Sequence, residues 1–233
     1  MPTRKISFVP GEYYHIYNRG NSKQTIFFDK KDYEKFTKYL YLCNAQINFD
    51  FRDDIVEPKI DTYEFDRGKS LVSIGAWALM PNHFHLYVTI PRTPGVREIV
   101  TDKENAVSKF VRKLSTSYVK YINKKYNRTG GLFEGPFKAV HVNKDNQAKY
   151  LFSYIHLNPV KLTQPKWKEN GIKNTKRTLD FLKNYKWSSY VDYKGEKRPQ
   201  GKIITPNDFP IDFKNTKDFD REILDWLKYE KED

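Results

Sequence analysis

Residues 80–88 read "MPNHFHLYV", and the fold turns on this stretch. Pro81-Asn82 is a turn signal. The run before it, "LVSIGAWALM" (71–80), is apolar enough for a largely buried strand. The run after it, "HFHLYVTI" (83–90), is rich in strand formers and reads as the returning arm of a hairpin. Side chains alternate along a strand, so His83 and His85 share one face while Phe84 points into the core. The chain has only five histidines, and placing two side by side on one face asks for a reason.

Working outward from the hairpin gives the rest of the order. "EYYHIYNRG" (12–20) predicts a strand leaving into a turn. "DKKDYEKFTKYLYLCN" (29–44) sets Tyr33, Phe36, Leu40 and Cys43 at helical spacing, with an acidic start that suits the helix dipole. The acid-rich stretch 44–70 reads as a loop or irregular hairpin lying away from any phosphate. Beyond the hairpin, "PRTPG" breaks the chain and a helix runs from about Glu104 to Tyr126. "PFKAVHV" (136–142) is a further strand. "DNQAKYLFSYIHLNP" (145–159) is a helix with Asp145 suited to its N-cap and a stop near Pro159. The order β-α-β-β-α-β with one more helix predicts an α+β fold, a ferredoxin-like antiparallel sheet with helices packed on it. Residues 1–165 would form that domain and 166–233 a helical and irregular C-terminal extension. Within the extension, "WKENGIKNTKR" reads as a loop and "FDREILDWLKYEKE" (219–232) as a short closing helix.

The chain of 233 residues is 38% hydrophobic, 30% charged and 16% aromatic, so Tyr and Phe carry much of the packing. No apolar stretch approaches the roughly 18 residues of a membrane span, and the first residues hold no signal-peptide core. The single cysteine, Cys43, excludes an internal disulfide framework and a Cys-rich zinc site. A cytoplasmic protein without a membrane partner is the expectation. Its net charge of +13 favours a polyanionic partner, although general solubility is the plainer reading. Residues 101–150 hold 11 Lys and Arg against 4 Asp and Glu. On the helix there, Val107, Phe110, Val111, Leu114, Tyr118, Tyr121 and Ile122 fall on one arc. Lys109, Arg112, Lys113, Lys120 and Lys124 fall on the opposite arc, as a solvated face or a track for phosphates.

Two imidazoles on one strand face suit a divalent metal, or they simply pack. Tyr154 and Asn158, at i and i+4, stack on one face of the late helix. An amide oxygen is a hard ligand that could complete a His83, His85, Asn158 site for Mg²⁺ or Mn²⁺. A tyrosine beside it could attack a phosphate, although at a free pKa of about 10 it needs help. Tyr150, Tyr154 and His156 are equally readable as ordinary helix aromatics.

Four blocks then stand in a telling order: "YHIYNRGNSKQTIFFDKKDYEKF" (14–36), "WALMPNHFHLYV" (77–88), "GLFEGPFKAVHV" (131–142) and "YIHLNPVK" (154–161). Together they resemble the single-tyrosine HUH transposases, in particular the REP-associated tyrosine transposases. The likeness covers about residues 10–165, with a shorter echo at "WSSY" (187–190). HUH denotes His, a hydrophobic residue, His, here His83-Phe84-His85. The resemblance implies a metal-dependent endonuclease and strand transferase acting on single-stranded or hairpin DNA. His83 and His85 match the metal pair, Tyr154 the nucleophile that becomes joined to a 5′ phosphate, and Asn158 a third, amide-bearing ligand. Tyr150 lies outside the matched motif and is the second choice. Tyr14, Tyr17, Arg19 and Lys138 are expected DNA contacts, beside Lys109, Arg112, Lys113 and Lys120 on the helix; Arg19 and Lys138 could equally be surface charges. His15, His141 and His156 are expected to be structural. Some relatives exchange the tyrosine helix between subunits, so a homodimer is possible. Two other readings stand: a domesticated, non-catalytic DNA-binding protein, and a metal-dependent phosphoesterase that uses water and has no need of Tyr154.

Overall fold

Pro81 and Asn82 turn the chain between β2 (Ser73–Met80) and β3 (His83–Thr89), which pair antiparallel from Met80↔His83 to Ser73↔Thr89. The computed structural model describes residues 6–92, 105–210 and 216–228. β3 pairs on its other side with β1 (Tyr13–Arg19), and β1 with β4 (Lys138–Val142), giving an antiparallel sheet in the order β2-β3-β1-β4. With α1 (Lys30–Leu42) after β1 and α2 (Ala106–Lys125) after β3, this is the α+β, ferredoxin-like arrangement.

Alternation divides the sheet into two working faces. Tyr14 and Ile16 of β1 and Phe84, Leu86 and Val88 of β3 bury against Phe36 and Leu40 of α1 and Phe110, Leu114 and Tyr118 of α2. Phe36 packs edge-on to Tyr118 at 4.9 Å between ring centroids and lies 5.1 Å from Phe84. Each such ring stabilises the fold by about 1.5–3 kcal/mol through burial. α1 starts on a capping box between Asp29 and Asp32.

The opposite face carries α3 (Asp145–Leu157), whose Phe152 and Ile155 pack over Ala76, Ala78 and Tyr87. Small residues on β2 let the helix come close. Lys144, not Asp145, holds the N-cap position, and among the described residues no side chain caps the helix; Asp145 sits in the first turn, where its charge still favours the dipole. A 3-10 turn, Asn158–Leu162, follows with Pro159 at its start.

The segment after residue 165 is more regular than the sequence suggests. It forms α4 (Trp167–Asn170), α5 (Thr175–Asn184), α6 (Tyr190–Tyr193) and α7 (Thr216–Lys228). Thus "WKENGIKNTKR" is not a plain loop: Asn174 caps α5 by accepting from the Arg177 amide, a signal hidden among lysines. The extension also covers the free edge of β2. Leu79 N donates to Trp187 O, Ser189 N to Trp77 O and Thr205 N to Ile74 O, each at 2.9 Å. Gly75 sits at a register shift in β2, where an added Cβ would lie 2.9 Å from the Phe209 ring.

The segment 44–70 is irregular. It is joined by an Ala45–Ser70 bridge and lies on the α1–α2 side. Residues 93–95 of "PRTPG", the helix start at Glu104 and the end of the closing helix at 229–232 lie outside the described residues. Among the described residues no helix is long and apolar enough to cross a membrane.

Candidate active site

β3 presents His83 and His85 on the face that α3 covers. Their ring centroids lie 5.0 Å apart at 85°. The Tyr154 ring, from the α3 side, stands 5.5 Å from the His85 ring at 74°. Asn158, one turn further on, is fully buried. All four side chains meet within one chain.

Hydrogen bonds orient both rings. Asn82 Nδ2 donates to Lys23 O at 3.1 Å, which turns its Oδ1 toward His83. His83 Nδ1 lies 2.6 Å from that oxygen and can only donate to it, so the lone pair of His83 is left at Nε2. His85 Nδ1 lies 2.9 Å from His15 Nε2, and among the described residues the buried His85 Nε2 has no hydrogen-bond partner. Both amide atoms of Asn158 are likewise buried with no hydrogen-bond partner among the described residues. The amide lies near enough to the His83 ring and to Tyr154 to bias their protonation, without closing to hydrogen-bond geometry.

Burial keeps the imidazoles neutral. It pushes His15 and His83 down to about 4 and His85 well below its ordinary value, with the neighbouring rings and the Lys161 and Lys168 cations adding to the effect on His85. Burial raises the Tyr154 phenol, opposed by Asn158 and reinforced by Tyr150 and Tyr17. Lys168 Nζ stands 3.9 Å from the Tyr154 ring centroid and Lys161 Nζ 5.9 Å.

The other expected residues divide by face. Tyr17 is on the site face, 4.8 Å from the His15 ring and 5.9 Å from His85, and its register partner is the exposed Lys138. Arg19 is paired cross-strand with His83, and its guanidinium is held by Glu134, with Nη2 donating to Oε1 at 2.9 Å. Tyr14 is not a surface contact. It is 1% exposed on the opposite face, accepting from Val9 N and donating to Ser7 O, because strand alternation turns it into the core. Lys109, Arg112, Lys113 and Lys120 ride on α2, across the sheet from the histidines, and Lys113 Nζ is engaged by Ala45 O and Ile47 O. Tyr150 stacks 6.0 Å from Tyr154. His141 meets Glu12, and the fully buried His156 meets Ser189 Oγ at 2.8 Å.

Four site residues escape sequence reasoning. His15 is packed, as expected, yet packed onto His85; its alternation with Tyr17 was the available signal, while the register was not. Asn82 reads only as a turn residue. Lys161 lies inside the matched block but carries no assigned role, and nothing marks Lys168.

The donor set fits a divalent ion. Among the described residues no three or more His, Cys, Asp or Glu side chains are placed to hold a metal. Since the His15 nitrogen is engaged by His85, an ion here would be held by His83 Nε2, His85 Nε2 and the Asn158 oxygen. The two orphaned groups, His85 Nε2 and the Asn158 amide, are what a ligand would satisfy.

The chain matches a solved REP-associated tyrosine transposase bound to a REP hairpin, with a TM-score of 0.51 over 91% of this chain and 93% of that one. Identity is 14%, so the likeness is one of fold. No protein-family description matches the sequence, and no curated protein matches it.

Proposed function

We propose that this protein is a metal-dependent single-stranded DNA endonuclease and strand transferase with Tyr154 as its nucleophile. The observation that carries this reading is the meeting, in one chain, of two ligand-oriented imidazoles, an orphaned buried amide and a half-buried phenol. A pure DNA-binding protein gains nothing from burying those groups unsatisfied, and a water-using phosphoesterase has no need of the phenol. The fold shared with a hairpin-bound transposase and the net charge of +13 support the DNA substrate. A cytoplasmic setting fits the same activity.

His83, His85 and Asn158 would hold Mg²⁺ or Mn²⁺, which when bound supplies Lewis-acid stabilisation of charge on a non-bridging phosphate oxygen. Asn82 and His15 keep the two rings turned with Nε2 inward. Tyr154 Oη attacks the phosphorus, a new O–P bond forms, and the P–O3′ bond breaks. The phenol proton is transferred to the departing 3′ oxygen, giving a 5′-phosphotyrosine and a free 3′ hydroxyl. The reverse attack by a hydroxyl rejoins the strand without a nucleotide cofactor, since the covalent link keeps the phosphoester. Tyr17 offers a stacking surface beside the site and Lys138 a nearby cation for the strand.

The test is to incubate the protein with labelled hairpin DNA carrying single-stranded flanks and Mn²⁺. An adduct that survives denaturing gel conditions and maps to Tyr154 is expected, with Tyr154→Phe binding DNA yet forming none. Cleavage without an adduct would transfer the reaction to water, and an adduct on Tyr150 would move the nucleophile.

A further inference from the structure

We propose that Lys161 and Lys168 form a receptor for a single phosphodiester group held against the Tyr154 ring, so that the segment after residue 165 completes the active site. The inference rests on the function proposed above and names groups that bind its substrate.

The two amines reach the same ring from different elements. Lys161 belongs to the 3-10 turn after α3, and Lys168 to α4. Among the described residues neither makes a hydrogen bond or an ion pair; their only contacts of this kind are with aromatic rings. Two solvated lysines with no common ligand repel and drift apart. These two are instead held on one phenol, and among the described residues no carboxylate bears on Lys168. Although Lys168 keeps contact with solvent, surrounding protein and the Lys161 charge press its pKa down to about 8. Both charges also reach His85.

A cation over the face of Tyr154 explains Lys168 alone. It does not explain the second, more distant cation. A phosphodiester explains both, because it carries one negative charge on two non-bridging oxygens and each ammonium can donate to one. The reacting phosphate must also lie beside Tyr154 and near the His pair, where both amines stand. Nothing in the α2 stripe offers this, since it faces away across the sheet.

The test compares binding of fluorescein-labelled hairpin DNA with single-stranded flanks in a Tyr154→Phe background, where no chemistry intervenes. Lys168→Met and Lys161→Met should each lower the slope of log affinity against log salt by about 0.7–0.9, as expected for one lost phosphate contact. Lys168→Arg should restore the slope, which a merely structural role would not require. With Tyr154 intact, Lys168→Met should slow single-turnover adduct formation by at least about tenfold, as loss of a donor to developing charge does. An unchanged slope in both methionine variants, with thermal unfolding like that of the parent, would overturn the proposal. If the parent forms no adduct, the proposed function fails, while the slopes still decide whether the lysines hold phosphate.

Discussion

His15 Nε2 lies 2.9 Å from His85 Nδ1, bridging adjacent strands β1 and β3. Two tautomeric arrangements satisfy this contact. Only the one in which His85 Nδ1 donates leaves a lone pair at Nε2, where an ion could bind. A partner of this kind commonly sets the orientation and basicity of a metal ligand. His15→Ala should therefore weaken Mn²⁺ binding by about 10–100-fold, read by electron paramagnetic resonance titration. His15→Gln, which keeps an acceptor, should recover part of the loss. Equal affinity in the parent and in a folded His15→Ala protein would remove His15 from the site.

Tyr14 and Lys138 separate packing from DNA contact. Tyr14→Phe deletes a hydroxyl that bonds only within the protein, and should cost about 0.5–1.5 kcal/mol of stability in denaturant titrations. It should leave the salt dependence of DNA binding unchanged. Lys138→Ala should do the opposite, leaving the unfolding midpoint in place and lowering the salt slope by about 0.7–0.9. A change of slope in Tyr14→Phe would contradict its placement in the core.

The sheet was legible because alternation and turn chemistry act over a few residues. "MPNHFHLYV" gives the hairpin, the face shared by His83 and His85, and the inward turn of Phe84. The helix α2 followed in the same way from its apolar arc. What could not be read depends on register and on distant packing. His15 meets His85 only because β1 pairs with β3 two residues out of line with it. In sequence Tyr14 is an aromatic near a basic residue, which suits DNA, while its hydroxyl partners lie in irregular chain at Ser7 and Val9. Lys168 reaches Tyr154 through a single helical turn in a lysine-rich stretch, where no periodicity distinguishes one lysine from the next.

The same distant packing bears on whether residues 1–165 stand alone. Leu182, Tyr190, Val191, Phe209, Phe219 and Ile223 bury in one cluster with Ala76, Ala78, Phe152 and Ile155. Residues 187–189 and 205 also satisfy the β2 edge. A protein ending at residue 165 would expose the apolar surface of α3 and β2 that the extension covers, and leave the β2 edge unpaired. It should lose cooperative unfolding by circular dichroism and bind a hydrophobic dye. A sharp two-state transition in the truncated chain would show that the first 165 residues hold their own core.

Acid should loosen the fold through its buried imidazoles. His156 is fully buried against Ser189, and burial pushes its pKa down to about 3; His15 and His83 stand at about 4. All three lie below the ordinary value of 6.5, so the unfolded chain binds more protons than the folded one in the interval between. Stability is then fully present above about pH 6.5 and is lost as the pH falls, by at most about 1.4 kcal/mol per pH unit for each histidine. Urea midpoints measured without metal at about pH 7.5 and about pH 5 should show this decline, in a range where ordinary carboxylates are still mostly ionised. His156→Gln can still bond the Ser189 hydroxyl but cannot take up the proton, so its midpoint should decline less. An equal decline in both proteins would mean that His156 is not held neutral by the contact between α3 and the extension.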